Sequence, residues 1–408
     1  MRATPRTLRL LLAFGVVLSL GWGALGGWAA SEHSAAAGSV VSVDEPLSLD
    51  ARQLYQSLAD ADVTVTTAFL ASSQPPLAQE RRYQADIAGA ATDLTRLRSA
   101  DGQQVTAALA TLDDGLPVYT GYVADAESEY SLGFPLTGGS FLQVASEQAH
   151  LVLLPAARIV FTQENDALTA ASGTATGLPV MIGALVFALI VAVVLLRTQR
   201  WLSRRTHRTL NPGLVAATAL LVISAVWLAA GFAAARSDLD RGIGQGSGPT
   251  QSLAEASIGV QQIRSDAVLN VISRSGDASF QQDFLATSAA DRPLLAAAGT
   301  GPGAAAVTAA RQETTAWDTA NAQVYRLGVA ANYAAERTMV TGSGTSAGYD
   351  ALVADITGAI GDDQSVFQSS ASAGSGALSS LEPMVIIVSV LMALACAWGL
   401  SRRLAEYR

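Results

Sequence analysis

The sequence contains no lysine, a single cysteine and three histidines, so several kinds of chemistry have few residues available. The lone Cys396 cannot form a disulfide within the chain, and its apolar surroundings favour a small buried side chain. None of the histidines, His33, His150 and His207, has a second ligand at metal-binding spacing. The sequence also lacks a P-loop, a nucleophile elbow and a dinucleotide-binding glycine motif. We therefore expect no enzymatic activity, no cofactor and no bound metal.

Charged residues make up only 14% of the chain, and four runs of about 18–22 residues have almost none. Each run is long enough to cross a membrane as a helix, and Gly183 and Gly231 offer small-residue packing positions. These runs contain no ionisable side chain, which disfavours an ion-coupled transporter. We predict a cytoplasmic N-terminus (1–9), transmembrane helices (10–30, 177–196, 212–235 and 383–400), extracytoplasmic helical domains (31–176 and 236–382), an Arg-rich cytoplasmic loop (197–211) and a cytoplasmic tail (401–408).

Arginine is concentrated beside the apolar runs. The three short flanking segments hold eleven of the 25 Arg residues and one acid, Glu406. By the positive-inside rule these segments are cytoplasmic, so both polar domains lie outside a bacterial plasma membrane. Because Trp28 disfavours signal-peptidase cleavage, we expect the first helix to be retained. Seven arginines are candidate docking residues for a cytoplasmic effector, with lipid anchoring as the simpler explanation: Arg197, Arg200, Arg204, Arg205, Arg208, Arg402 and Arg403.

The order of apolar runs and polar stretches repeats at an offset near 204 residues, which predicts an internal duplication. Asp62 in the first polar domain matches Asp266 in the second at this offset. Because both copies keep the aspartate, the pair is a candidate site, with a cap or an interhelical hydrogen bond as the simpler explanation. Asp60, Glu80 and Asp86 lie near Asp62 in sequence, and such acids suit either a cation or amine site or a solvated helix face.

Apolar residues in the polar domains recur at helical spacing, and glycine-rich breaks at 133–139 and 342–346 separate the stripes. Two of these stripes in the first domain are Leu54, Leu58, Val65 and Phe69, and Val118, Tyr122, Ala126 and Tyr130. Sustained period-two alternation is missing. The sequence therefore predicts an all-α membrane protein with four transmembrane helices and two tandem extracytoplasmic bundles of the four-helix, sensor-like type.

Three segments resemble a known family. Residues 54–71, 140–146 and 153–157 read LYQSLADADVTVTTAFLA, SFLQVAS and LLPAA, and they look like the actinobacterial GlnX-type four-helix membrane protein. Members of that family are associated with a glutamine-binding lipoprotein, GlnH, and a cytoplasmic Ser/Thr kinase, PknG. The resemblance implies a relay of amino-acid availability across the membrane, and it carries no ligand or catalytic residue over to this chain.

The sequence therefore favours a membrane sensor or signal relay. The cytoplasmic segments are too short to hold a kinase domain, so the expected partners are a solute-binding protein outside, a Ser/Thr kinase inside and membrane lipid. No nucleic-acid partner is expected, and the oligomeric state stays open. The alternatives are a structural scaffold of the cell envelope, which needs no ligand, and a subunit of a transport complex.

Overall fold

The computed structural model describes residues 5–71, 77–100, 106–206, 211–273 and 278–405. Within these ranges every regular element is helical and there is no strand, which confirms the all-α prediction. Three π-helical segments (Val40–Asp44, Ala149–Leu153 and Ile243–Ser247) and a 3-10 turn (Ala298–Thr300) lie between helices. The helices are α1 Pro5–Ser39, α2 Glu45–Ala71, α3 Leu77–Ala100, α4 Thr106–Ser131, α5 Pro135–Gln148, α6 Leu154–Ala175, α7 Leu178–Thr206, α8 Pro212–Gly242, α9 Gly248–Ser273, α10 Ala278–Ala297, α11 Ala304–Val329, α12 Tyr333–Thr341, α13 Ser343–Ser379 and α14 Leu381–Ala405.

α1–α7 and α8–α14 begin alike, although the π-helical segment after α5 and the 3-10 turn after α10 each occur in one half only. In each half a long helix leads through a π-helical segment into the helix that carries the candidate aspartate, α2 or α9. The two π-helical segments begin at residues 40 and 243, which are 203 positions apart. This order agrees with the repeat in the sequence, while the origin of the two halves by duplication stays a prediction.

Among the residues that the structure describes, four helical runs are long and apolar enough to cross a membrane: Arg9–Leu70, Pro135–Arg204, Pro212–Ile272 and Ala347–Arg402. The runs span 56 to 70 residues, far more than the ~20 that a hydrocarbon core requires. Only the apolar part of each run therefore belongs in lipid. These apolar parts lie in one compact unit, here called the apolar unit, made of Met1–Ser42, Thr169–Arg241 and Ser369–Arg408.

The apolar unit packs through small residues. α1 lies against α14 and α7, and its Trp22 donates a hydrogen bond from Nε1 to Ser224 Oγ at 3.0 Å. A Cβ atom built on Gly213 of α8 would overlap the Ala395 carbonyl and the Gly399 backbone of α14. These two helices therefore cross with their backbones in contact. The two glycines predicted as packing positions have different surroundings. Gly231 faces the Leu381 side chain, whereas no atom lies within 4 Å of the Cβ position of Gly183.

The polar stretches Val43–Leu168 and Gly242–Gln368 form the second compact unit, here called the polar unit. One apolar core draws on α2 to α6 and on α9, and a second draws on α9, α10, α11 and α13. α9 therefore contributes to both cores, and it also packs directly against α2. The two helices that match each other in the repeat are neighbours in this unit.

The predicted apolar face is correct for α2, and on α4 it is correct for Tyr122, Ala126 and Tyr130 but not for Val118. Leu54, Leu58, Val65 and Phe69 of α2 are all buried. On α4, Val118 is 45% exposed, while Tyr119 and Val123 are buried beside Ala126. Neighbouring residues on a helix point about 100° apart, and Val118 and Tyr119 both lie at helical spacing from Ala126. Periodicity alone therefore did not decide which of the two faces the core.

The break after α4 depends on one glycine. Gly133 has a φ of +87°, a conformation that side chains rarely adopt, and Pro135 then begins α5. The second predicted break falls at the junction of α12 and α13. His33 lies in α1, where it is buried with its ring centroid 4.9 Å from that of Phe232.

Candidate functional site

The candidate site is a buried polar cluster where α2, α9 and the π-helical segment after α5 meet. α2 contributes Asp62, α9 contributes Asp266, and the π-helical segment contributes His150. Ser146, one helical turn before His150, and Ser265, the neighbour of Asp266, complete the cluster. Residues four apart lie on one helix face, so α5 and its π-helical extension present Ser146 and His150 to the same partners.

Asp62 is the centre of the cluster. Its side chain is 2% exposed, and its Oδ2 atom accepts hydrogen bonds from Ser146 Oγ at 3.0 Å and Ser265 Oγ at 2.6 Å. The same oxygen lies 3.2 Å from His150 Nε2. The other oxygen, Oδ1, is buried and has no hydrogen-bond partner. The carboxylate is thus held by three groups on one side.

His150 lies between the two repeat-related aspartates. While Nε2 faces Asp62, Nδ1 lies 3.7 Å from Asp266 Oδ1. That second distance is too long for a good hydrogen bond but allows a strong charge interaction in this partly buried site. The side chains of His150 and Asp266 are 19% and 15% exposed. A protonated imidazole at this position therefore has a carboxylate on each side.

The electrostatics of the cluster raise the pKa of both His150 and Asp266. Burial alone lowers the pKa of His150, but the hydrogen bond to Asp62 and the charges of Asp62, Asp266 and Asp283 outweigh burial, so the pKa is raised above 6.5. Burial raises the pKa of Asp266 to about 6, against the opposing effect of His150 and with support from Asp62 and Asp283. Both groups therefore hold a proton to higher pH in the folded cluster than they do as free side chains.

The other candidate acids form a separate group on the polar unit. Asp60 Oδ1 accepts a hydrogen bond from Gln261 Nε2 at 2.7 Å and lies 4.0 Å from Arg82 Nη2. Burial raises the pKa of Asp86 to about 6, with a further rise from Asp60 and an opposing effect of Arg82. Glu80 is exposed. Asp60 already has an amide and a guanidinium as partners, so the arrangement favours internal pairing over an amine site.

Two buried tyrosines extend the polar interior near Asp62. The hydroxyl groups of Tyr83 and Tyr119 are buried without a hydrogen-bond partner, and their ring centroids are 6.5 Å apart. Burial raises the pKa of both phenols, and the charge of Asp62 raises it further. Among the described side chains, no group of three or more His, Cys, Asp or Glu is arranged to hold a metal ion.

The structure describes part of the predicted docking set of arginines. Three of them on α7 have exposed side chains: Arg197, Arg200 and Arg204. Arg402 on α14 is also exposed, with its guanidinium carbon 5.0 Å from the centroid of the Trp398 ring. The remaining members lie outside the described residues, as a whole or in their side chains: Arg205, Arg208 and Arg403.

Sequence reasoning found two of the five residues of the cluster. The common offset picked out Asp62 and Asp266, and the structure places each beside His150. His150 has no second ligand at metal-binding spacing, so its sequence context did not mark it, and neither Ser146 nor Ser265 was predicted. The available signals were the four-residue spacing from Ser146 to His150 and the position of Ser265 next to the repeated aspartate.

Comparison with known proteins places part of the chain in context. Residues 36–173 match the family described as the actinobacterial sensor domain. No curated protein and no solved structure matches the chain. The matched segment contains Asp62, Ser146 and His150, whereas Ser265 and Asp266 lie beyond it.

These findings define the class of protein. The described chain is helical, it has four helical runs able to cross a membrane, and its residues 36–173 match the model of an actinobacterial sensor domain. The protein is therefore a sensor-type membrane protein.

Proposed function

We propose that this protein is an integral membrane signal relay that reports the availability of a solute outside the cell, such as an amino acid, to a cytoplasmic Ser/Thr kinase. The observation that supports it most is the sensor-domain match, because the matched residues supply most of the Asp62–His150 cluster. In this proposal both polar stretches are extracytoplasmic, and the N-terminus, central loop and tail are cytoplasmic. The solute arrives directly or on a solute-binding protein.

A separate kinase is the proposed receiver of the signal. The central loop, residues 197–211, is too short to hold a kinase domain. Arg197, Arg200 and Arg204 are exposed and are well suited to hold an acidic surface of a partner. The relay to GlnH-like and PknG-like partners comes from the resemblance of residues 54–71 to the GlnX-type family.

Chemical crosslinking in native membranes followed by affinity purification tests the proposal. We expect the wild-type protein to recover both a solute-binding protein and a Ser/Thr kinase. Replacing Arg197, Arg200 and Arg204 together with Gln should remove the kinase and leave the solute-binding protein. Arg311→Gln, Arg326→Gln and Arg337→Gln together form the matched control, because they remove the same charge from the polar unit.

Recovery of neither partner from wild-type membranes would contradict the relay. If the variant with Arg197, Arg200 and Arg204 replaced still recovers the kinase, the docking role of these three arginines is contradicted, but the relay itself is not. An envelope scaffold predicts crosslinks to envelope components that do not change with the solute supply, so the purification is done with and without amino acids in the medium.

A further inference from the structure

A second polar site lies in the polar unit, apart from the Asp62 cluster. It is a cavity of about 30 Å³ between α2, α6, α9 and α13. Its lining includes Glu45 and Arg52 of α2, Asn165 of α6, Thr250 of α9 and Gln364 of α13. A charged group of each sign therefore faces the same small space.

Arg52 is a buried cation without a counter-charge. The residue is 6% exposed, and its Nη2 donates a hydrogen bond to Gln364 Oε1 at 2.8 Å. Its Nε and Nη1 atoms are buried and have no acceptor. No carboxylate of the described residues lies within ion-pair distance of it, and burial lowers its pKa. A buried guanidinium of this kind is costly unless an anion completes it.

Glu45 supplies the opposite chemistry two helical turns away on α2. It is 6% exposed, and its Oε1 atom is buried without a hydrogen-bond partner. Burial raises the pKa of Glu45, against the opposing effect of a hydrogen bond from Gln368. Thr250 Oγ1 is also buried without a partner. The lining thus offers donors at one place and acceptors at another.

The size of the cavity limits its occupant. One ordered water fills roughly 10–15 Å³ of such a volume, so the cavity holds about two or three water-sized groups. That space suits the two oxygens of a carboxylate and one adjoining donor group. The rest of a larger solute would extend from the open side.

We propose that this cavity binds the carboxylate head of a small 2-hydroxy or 2-amino acid, with Arg52 holding the carboxylate and Glu45 accepting the hydroxyl or ammonium donor. The proposal rests on the proposed function in one respect, because it places a solute site in the polar unit of the sensor. It involves no partner protein, so it fails or holds independently of the crosslinking experiment.

Calorimetry and thermal unfolding of the purified full-length protein in detergent test the proposal. The probes are glycine, glycolate and acetate, with sodium chloride at the same ionic strength. We expect saturable binding and a raised unfolding temperature with glycine or glycolate, weaker binding of acetate and no response to chloride. Preference for glycine over glycolate would identify an ammonium donor, and the reverse a hydroxyl.

The stability of the ligand-free variants distinguishes a ligand-binding residue from a structural one. Loss of a structural residue lowers the unfolding temperature, whereas loss of an unpaired ligand-binding charge does not. Arg52→Met should abolish the response to every carboxylate probe and leave the unfolding temperature of the ligand-free protein unchanged or raised, because it removes a buried unpaired charge. Glu45→Gln should weaken glycine or glycolate binding at least tenfold while acetate binding changes little. Arg326→Gln, an exposed arginine of the same unit, should respond as the wild type does.

Three results would overturn the proposal. One is an equal response to chloride and to the carboxylates, which would make the cavity a general anion site. Another is the lack of a response to every probe. The third is an Arg52→Met protein that is less stable than the wild type without ligand, which would show that Arg52 has a structural role.

Discussion

At the scale of single residues, Asp62 shows how a charge is accommodated in an almost water-free site. Desolvation of a carboxylate costs several kcal/mol, and the hydrogen bonds of Ser146, Ser265 and His150 offset this cost. All three donors converge on one oxygen, which leaves Asp62 Oδ1 unsatisfied. The hydrogen bonds of the cluster are therefore only partly satisfied. We expect substitutions in the cluster to change both the stability of the protein and its response to ligand.

His150→Gln should lower the free energy of unfolding by about 3 kcal/mol, because it removes the cationic partner of a buried carboxylate. The glutamine retains a donor for Asp62 but carries no charge. The change is measured by chemical denaturation of the purified protein in detergent near neutral pH.

Glu147→Gln is the control for this variant. Glu147 lies near the end of α5, three residues before His150, and is exposed. Its replacement should therefore change stability by less than about 0.5 kcal/mol. Equal effects of the two variants would contradict the electrostatic account of His150.

The residue scale also shows what the sequence could reveal. The repeat offset connected Asp62 with Asp266, because a duplicated plan places equivalent residues on equivalent helices. It did not reveal that α2 and α9 pack against each other, since that contact joins positions about 200 residues apart. His150 has no counterpart histidine in the second half, so no repeat marked it.

At the scale of helices, the crossing at Gly213 depends on the lack of a side chain. The Asn211 side chain fixes this contact by donating from Nδ2 to the Gly399 carbonyl at 2.9 Å and accepting from the Gly213 amide at 3.1 Å. In lipid, such close approach replaces the hydrophobic effect as a source of helix association. The contact should tolerate no added carbon.

Gly213→Ala should destabilise the protein by about 1–3 kcal/mol, because the new Cβ would overlap the Ala395 carbonyl oxygen. Gly183→Ala is the matched control, since nothing lies within 4 Å of its Cβ position and alanine favours helix. Thermal unfolding in detergent compares the two variants. A Gly213→Ala protein as stable as Gly183→Ala would contradict this crossing.

Helix faces show the limit of periodicity as a predictor. For α2 the predicted stripe is buried, but Tyr55, Val63 and Thr66 outside it are buried too, so this helix is enclosed on most sides. On α4, Val118 and Tyr119 are adjacent and both apolar enough for the core, so which of them faces inward depends on the helices packed against α4. Tertiary contacts decided the register.

At the scale of the whole molecule, the Asp62–His150–Asp266 cluster links folding to pH. The pKa of His150 in the folded protein is above 6.5, so its stabilisation is fully present below about pH 6.5 and is lost as the pH rises through the raised value. The pKa of Asp266 rises from 3.8 to about 6, so the folded state again binds more protons than the unfolded chain between these values. Both groups act in the same direction.

The unfolding temperature of the wild-type protein should therefore fall as the pH rises from about 5 to 8. His150→Gln and Asp266→Asn should each make this dependence shallower, as each removes one titrating group. Circular dichroism melts over this range give the comparison, with Glu147→Gln again as the control. A wild-type melting temperature that rises across the range would contradict the raised pKa of His150.

The orientation of the whole chain is testable through its single cysteine. Cys396 is buried, so Cys396→Ser provides a background in which one new thiol can be placed at a time. The concentration of Arg beside the apolar runs predicts that the polar unit is outside and the end of α7 is inside.

In right-side-out vesicles, a membrane-impermeant maleimide should label Glu147→Cys at once and Arg200→Cys only after permeabilisation, since both positions are exposed in the structure. Inverted vesicles should give the opposite pattern. Labelling of Arg200→Cys in sealed right-side-out vesicles would reverse the topology and place the α7 arginines where no cytoplasmic kinase could reach them.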